Sequence, residues 1–210
     1  VMPVCSDDAY LFFESRGFQS DSHEPLPVLT ARWLQQVLPG LNEKELRSFS
    51  APAPQTALAP VTVSLGVGEN PAKRLDDAFE LALLRELTAF GVPVLIDRGA
   101  GGEEAERVDR LCKQFSREQV LVHEGSFASF ASHILQSDLY AGYDSAGQHV
   151  AAAAGIPLIS IFSGYVSERM KQRWTPAGPG PMAVIDAKQQ DTAAVLAEVS
   201  KAIRAFRKPG

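Results

Sequence analysis

Basic charge is in short supply in this 210-residue chain: 20 Lys and Arg stand against 25 Asp and Glu, a formal net charge of −5. Without a basic stripe, nucleic acid is a poor partner class. Local anion binding through backbone N–H groups and one or two cations stays open. Cysteine is scarce too. Cys5 and Cys112 stand far apart and form no metal-ligand spacing. Two lone thiols in a chain of this size point to a reducing compartment, the cytosol. Cys112 falls inside a helical pattern and reads as a small core residue rather than a nucleophile. Long apolar runs are missing, and none approaches the roughly 18 residues that crossing a bilayer takes. The opening VMPVCSDDAYLFF lacks the basic start of a signal peptide, and its Val-Met reads as the scar of a longer chain. What is present is ordinary globular composition, 45% hydrophobic and 21% charged. It suffices for one large domain, or one domain with an appendage.

Two stretches differ in character. Residues 1–60 mix short helical patterns with proline-rich breaks. TARWLQQVL (30–38) offers an apolar face of Trp33, Leu34, Val37 and Leu38, and Pro39-Gly40 stops it. NEKELRSF (42–49) reads as another helix. APAPQTALAP (51–60), with three prolines in ten residues, reads as a linker. Sixty residues of this kind make a poor independent core. From residue 61 the pattern turns regular. Strands are expected at 61–67, 92–99, 120–124, 138–144, 157–163 and 182–187. Helices are expected at 72–91, 102–115, 127–137, from Ser145 to Gly155, at 166–174 and at 191–206. Several strands are apolar on both faces, as parallel strands covered by helices are. The expected fold is therefore α/β: a doubly wound, Rossmann-like domain of about six parallel strands over 61–210, preceded by a short, mainly helical segment and linker over 1–60.

In such sheets ligands bind beyond the carboxyl ends of the strands, so polar residues there carry the chemistry. At the fourth, Asp144 ends a strand and Ser145 is placed to cap the next helix. Ala146 and Gly147 leave the first-turn N–H groups open to close approach, and His149 lies one turn on. A helix start with bare amides binds anions, phosphate above all. The segment thus reads as a pyrophosphate cradle. Each residue also has a plainer reading, Asp144 and Ser145 as a cap and His149 as a buried structural histidine. A hydrolase triad is a weak fit, because Ser145 and His149 share one helix turn and the flanks are not Gly-x-Ser-x-Gly. GVGENPAKR at the first strand end is neither a P-loop nor a dinucleotide fingerprint. Its glycines and Ser64 permit close backbone approach. Lys73, expected at the start of the following helix, faces a phosphate or is a solvated lysine. At the second end, Glu103 is placed to accept ribose hydroxyls, while Glu104 and Glu106 read as decoration of a helix start. Gly125 and Ser126, after the third strand, could offer backbone groups to a base. His123 and His133 read as structural.

Together these segments resemble glycosyltransferase family 9, the bacterial lipopolysaccharide heptosyltransferases. DSAGQHVAAAAGIPLISIFSG is similar to that family's Asp-Ser/Thr-Gly-x-x-His signature and its following Ala- and Pro-bearing run. VSLGVGENPAKR resembles its first donor-domain strand and Lys-bearing loop, and DRGAGGEEAERVDRL its glycine-rich turn and Glu-led helix. The resemblance covers roughly residues 61–187. It departs at Ala146, where the family has Gly, at Leu75, where an aromatic is frequent, and at Ser163, inserted as Phe-Ser-Gly. The resemblance implies one half of a two-domain GT-B enzyme that transfers sugar with inversion and without a metal or other cofactor. It implies a nucleotide-sugar donor such as ADP-heptose. It places Asp144, Ser145, Ala146, Gly147 and His149 around the diphosphate and sugar, Lys73 on phosphate, Ser64 beside it, Glu103 on the ribose, and Gly125 and Ser126 at the base. The glycan or lipid acceptor and the catalytic base would come from a missing N-terminal domain. The fragment alone would then be inactive, and the full-length enzyme would be cytoplasmic, with room for peripheral membrane association in lipopolysaccharide biosynthesis. Two other readings stand: a non-catalytic nucleotide-binding module, and half of a nucleotide-sugar epimerase.

Overall fold

The computed structural model describes residues 22–37, 39, 40, 42, 61–68, 70–89, 91–99 and 101–206. The helix expected at 42–49 and the linker at 51–60 lie outside them. Helix α1 (Leu26–Val37) starts a turn earlier than its apolar pattern, because Pro27 in the first turn gives up no bonded N–H. Among its described side chains Leu29 and Ala31 are fully buried, whereas Trp33 and Leu34 of the expected apolar face are half-buried; the side chains of Val37 and Leu38 lie outside those described.

From Val61 onward strands and helices alternate: β1 (Val61–Ser64), α2 (Asp77–Thr88), β2 (Val94–Asp97), α3 (Gly102–Cys112), β3 (Val120–His123), α4 (Phe127–Ile134), β4 (Leu139–Tyr143), α5 (Ala146–Ala154), β5 (Leu158–Phe162), α6 (Glu168–Trp174), β6 (Met182–Asp186) and α7 (Thr192–Phe206). All six strands are parallel in the order β3-β2-β1-β4-β5-β6. This is the doubly wound Rossmann-like sheet expected from the alternation, with elements shorter at their ends than the apolar runs. Among the described residues no helix is long and apolar enough to cross a membrane.

The period of two along each strand sorts the core into two layers. Val61, Val63, Val94, Ile96, Leu139, Ala141 and Tyr143 face one side, where α2, α3 and α7 cover them. Leu95, Tyr140 and Leu158 face the other, against Phe130 and Ile134 of α4 and Ala151 and Ala152 of α5. The alanines of α5 admit close neighbours. A Cβ at Gly178 would collide with the backbone of Ala152, so the chain before β6 lies directly on this helix. Thr62, buried on the second face, is satisfied by the Ser137 hydroxyl at 3.1 Å. Cys112 packs against the first layer, and burial pushes its thiol up to about 11. It is therefore inert as a nucleophile at neutral pH.

One buried charge cluster braces the strand ends. Glu80, 1% exposed, takes Arg74 Nε at 2.8 Å, Arg107 Nη1 at 2.5 Å and the Tyr143 hydroxyl at 3.3 Å. Arg107 also donates to Leu65 O at 3.1 Å, and Leu75 N donates to the Tyr143 hydroxyl at 3.2 Å. Side chains from α2, α3 and β4 thereby fix the loop that follows β1.

Candidate functional site

Strand order reverses between β1 and β4, where Ser64 pairs with Gly142. A crevice opens beyond the carboxyl ends of these strands, as the topology requires. Its cavity measures about 260 Å³. Ser64, Gly66 and Gly68 line it from the end of β1, and Asp97, Gly99 and Glu104 from the end of β2 and the start of α3. Gly125 and Phe127 close it from the β3–α4 turn. Ser145, Ala146 and Gly147 contribute the first turn of α5.

The start of α5 is open. Ser145 occupies the cap position in extended conformation, but its side chain makes no capping hydrogen bond. The starts of α2, α4 and α6 differ: Asp76, Ser126 and Ser167 each accept from the third residue on. The Ser145 hydroxyl instead stands 3.4 Å from that of Tyr140. Tyr140 lies under the cavity floor, buried, between Ser64 and Ser145, and burial pushes its phenol up to about 12. Gly147 owes its missing side chain to this tyrosine, since a Cβ there would collide with the Tyr140 hydroxyl. The sequence reading attributed that glycine to ligand approach. It also lines the cavity, so both demands fall on one position.

Beside this helix start lies a cation–carboxylate pair. Lys73 Nζ is 2.9 Å from Asp144 Oδ2 and donates to Asp144 O at 3.2 Å. Asp144, 6% exposed, is held from its other side by Gln148 Nε2 at 2.5 Å. Gln148 is fixed in turn by Ser160 and by Trp174 O. His149 is half-buried, with its ring centroid 6.2 Å from that of Trp174. Burial lowers its basicity; Asp144 pulls the other way and Lys73 adds to the lowering. The imidazole is thus neutral at pH 7, able to donate one hydrogen bond without carrying charge.

Lys73 is not at a helix start, contrary to expectation. Pro71–Lys73 form a 3-10 turn capped by the Asn70 side chain, and α2 begins only at Asp77, where Asp76 accepts Phe79 N at 2.7 Å. Pro71 sets the turn and Asp76 is the stronger cap, so the lysine sits between the two, free of the unfavourable helix dipole. Gly164, with φ +64°, presses on the backbone of Ala72, where any side chain would collide. Ser163 Oγ donates to Ala72 O at 3.4 Å. The Phe-Ser-Gly departure therefore keeps its glycine against the lysine turn.

Of the ten residues singled out from the sequence, Ser64, Gly125, Ser145, Ala146 and Gly147 line one cavity, and Lys73, Asp144 and His149 cluster at its edge. Two stand apart. Ser126 is exposed and its hydroxyl caps α4, accepting Ser129 N at 3.2 Å. Glu103 is exposed on the outer side of α3 and does not reach the cavity.

Glu104 does reach it, and Asp97 and Phe127 join it there unforeseen. The Glu104 carboxyl folds under the loop glycines, so that a Cβ at Gly66 or Gly99 would lie 2.5 Å from its Oε1. Burial raises its pKa, Arg107 lowers it, and Asp97 and Glu80 raise it further. A signal for Glu104 was present: it sits at i, i+4, i+7 with the buried Val108 and Leu111, whereas Glu103 shares the exposed stripe of Glu106 and Arg110. Asp97 meets His123 Nδ1 at 3.3 Å, and Ser129 takes the other ring nitrogen at 3.2 Å. His123 and the neighbouring His133, ring centroids 5.4 Å apart, lie outside the cavity lining.

Comparison with known proteins sets this geometry in a family. Among solved structures, Escherichia coli heptosyltransferase WaaC with ADP matches with a TM-score of 0.59 at 19% identity, over 75% of this chain and 46% of that one. E. coli ADP-heptose lps heptosyltransferase II matches at 0.55 and 19%, over 72% and 47%. A family 9 glycosyl transferase from Veillonella parvula matches at 0.55 and 13%, over 86% and 51%. At these identities the likeness is one of fold, and the chain spans about half the length of each. No curated protein matches. The model of glycosyltransferase family 9 (heptosyltransferase) matches residues 11–198, and the chain belongs to that family.

Proposed function

We propose that this chain is the donor-binding half of a glycosyltransferase and holds a nucleoside diphosphate sugar at the carboxyl edge of its sheet. The observation that carries this reading is the uncapped start of α5 at the switch point, with the Lys73–Asp144 pair beside it. The amides of the first turn offer the diphosphate donors and a partial positive charge. Lys73 supplies a full one, drawn from Asp144 or bridging it to the ligand. The neutral His149 donates to a phosphate oxygen. Ser64 and Ser145, oriented by Tyr140, hydrogen-bond nearby. Asp144, fixed by Gln148, accepts hydroxyls of the sugar. The ribose role expected of Glu103 falls to Glu104, whose carboxyl lies in the cavity. The base expected at Gly125 and Ser126 would rest on Gly125 and the half-exposed ring of Phe127, since the Ser126 hydroxyl is committed to capping α4. That WaaC was solved with ADP makes an adenine nucleotide the first ligand to try.

In transfer, an acceptor oxygen forms a bond to the anomeric carbon from the face opposite the leaving group. The carbon–oxygen bond to phosphate breaks, and its electron pair stays on the departing diphosphate. The α5 amides and Lys73 are placed to stabilise that growing charge. Acceptor and base belong to a second domain in this reading, so the chain alone binds donor and turns it over negligibly. Calorimetry with ADP tests the cradle: Lys73→Ala or His149→Ala is expected to weaken binding by about 1–3 kcal/mol. Unchanged affinity in both variants overturns it. Sustained turnover by the 210-residue chain would refute the division of labour.

A further inference from the structure

Helix α6 carries cations on two faces. Lys171 Nζ lies 2.5 Å from Asp186 Oδ2 and 3.3 Å from Glu168 Oε2, and the Tyr165 hydroxyl bridges the same carboxylates. On the other face Arg169, Met170, Arg173 and Trp174, with Ser167 and Leu26 of α1, line a second cavity of about 420 Å³. Arg169 and Arg173 are four residues apart, stacked on one side of the helix, a spacing at which like charges repel. Arg169 Nε is buried with no hydrogen-bond partner, and among the described residues no carboxylate pairs with this arginine. Glu24, two residues before Leu26, is committed to Arg32 through both oxygens, at 2.9 and 2.7 Å. Arg173 is 9% exposed, and burial followed by the Arg169 charge holds its basicity below that of an ordinary arginine.

A guanidinium at a cavity with no carboxylate paired to it, its field reinforced by the charge of Arg173 one turn on, is a receptor for an anion. The rest of the lining is Leu26, Met170 and Trp174, and the Trp174 ring is 45% exposed. Such an apolar and aromatic wall suits the carbon body that carries the anion, and the volume takes a body of monosaccharide size. We propose that this cavity is an anion subsite for a carboxylate or phosphate monoester borne on a sugar-sized body, with Arg169 on the anion and the Trp174 indole against the body. Its lining shares no residue with the cavity at the α5 start, so it does not depend on the donor-binding reading.

Titration of the whole chain with inorganic phosphate, against chloride at equal ionic strength, tests the subsite by melting temperature and calorimetry. Phosphate is expected still to raise Tm in Lys73→Ala, in which the α5 site is weakened, and to bind about tenfold more weakly when Arg169→Gln is added to that background. Arg169→Lys, which lacks the planar fork, serves the same comparison if the Gln variant does not fold. No stabilisation of Lys73→Ala beyond chloride, or unchanged binding when an arginine variant is added to it, would overturn the proposal. In a second arm, a hexose 6-phosphate that binds more tightly than inorganic phosphate, with a change in indole emission abolished by Trp174→Phe, supports the sugar-borne source. Equal affinity of the two overturns that source and leaves the free ion as the ligand.

Discussion

Replacing Glu104 by Gln separates two forces that meet in one carboxyl. Burial raises its pKa from the ordinary 4.5, more than Arg107 lowers it. The folded chain therefore holds that proton more tightly than the unfolded chain does. The group's contribution to stability is full below pH about 4.5 and is lost as pH rises through the elevated folded value. At pH 7 the ionised carboxylate is a cost, so Glu104→Gln is expected to melt at a higher temperature than the parent, with the gap closing as pH falls towards 4.5. The same substitution should weaken ADP binding. A hydrogen bond to a charged acceptor contributes about 1.5–3 kcal/mol and to a neutral one about 0.5–1.5, so two ribose hydroxyls together lose ~2 kcal/mol, roughly thirtyfold in Kd. Glu103→Gln, on the exposed face, should change neither quantity. Melting curves from pH 4.5 to 8 and calorimetry with ADP on both variants decide the matter. Weaker binding in Glu103→Gln with none lost in Glu104→Gln, or a lower melting temperature for Glu104→Gln at pH 7, would refute the reasoning.

Removing Glu80 takes the buried carboxylate from Arg107 and leaves Arg74 only the exposed Asp77, and breaking such a buried pair costs about 3–5 kcal/mol. Glu80→Ala should lower Tm by roughly 10 °C, and a change within about 2 °C would contradict that role. Gly147→Ala gains about 1 kcal/mol of helix propensity but drives a methyl into Tyr140, a clash costing about 1–3 kcal/mol. A lower denaturant midpoint is expected, and a higher one would show that the tyrosine yields freely. His149, its basicity lowered by burial from 6.5, contributes stability that is full above pH about 6.5 and lost as pH falls through the folded value. The parent should therefore lose more stability between pH 7 and 5 than His149→Gln, and parallel curves would remove the linkage.

Much of the fold was legible because parallel strands buried on both faces announce themselves as apolar runs, and the helices between them keep their period and caps. The ends were legible only to within a few residues. Proline and cap chemistry moved α2 from residue 72 to Asp77, taking Lys73 off the helix. The α5 segment could be read as an anion site because its small residues and strand-end position are local facts. Glu104 could have been found from its helical stripe, which distinguishes it from Glu103 one residue away. The Glu80 cluster could not: Arg74, Arg107 and Tyr143 come from three separate elements, and no spacing in the chain brings them together. The same holds for the Arg169 cavity, whose described lining joins Leu26 of α1 to side chains of α6.

A crystal structure of the chain with ADP bound tests the central claim most directly. The account predicts the diphosphate over the first turn of α5, against the amides of Ala146 and Gly147, with Lys73 Nζ within hydrogen-bonding distance of a phosphate oxygen. A diphosphate bound elsewhere, with Lys73 still held only by Asp144 and the α5 start unoccupied, would contradict it.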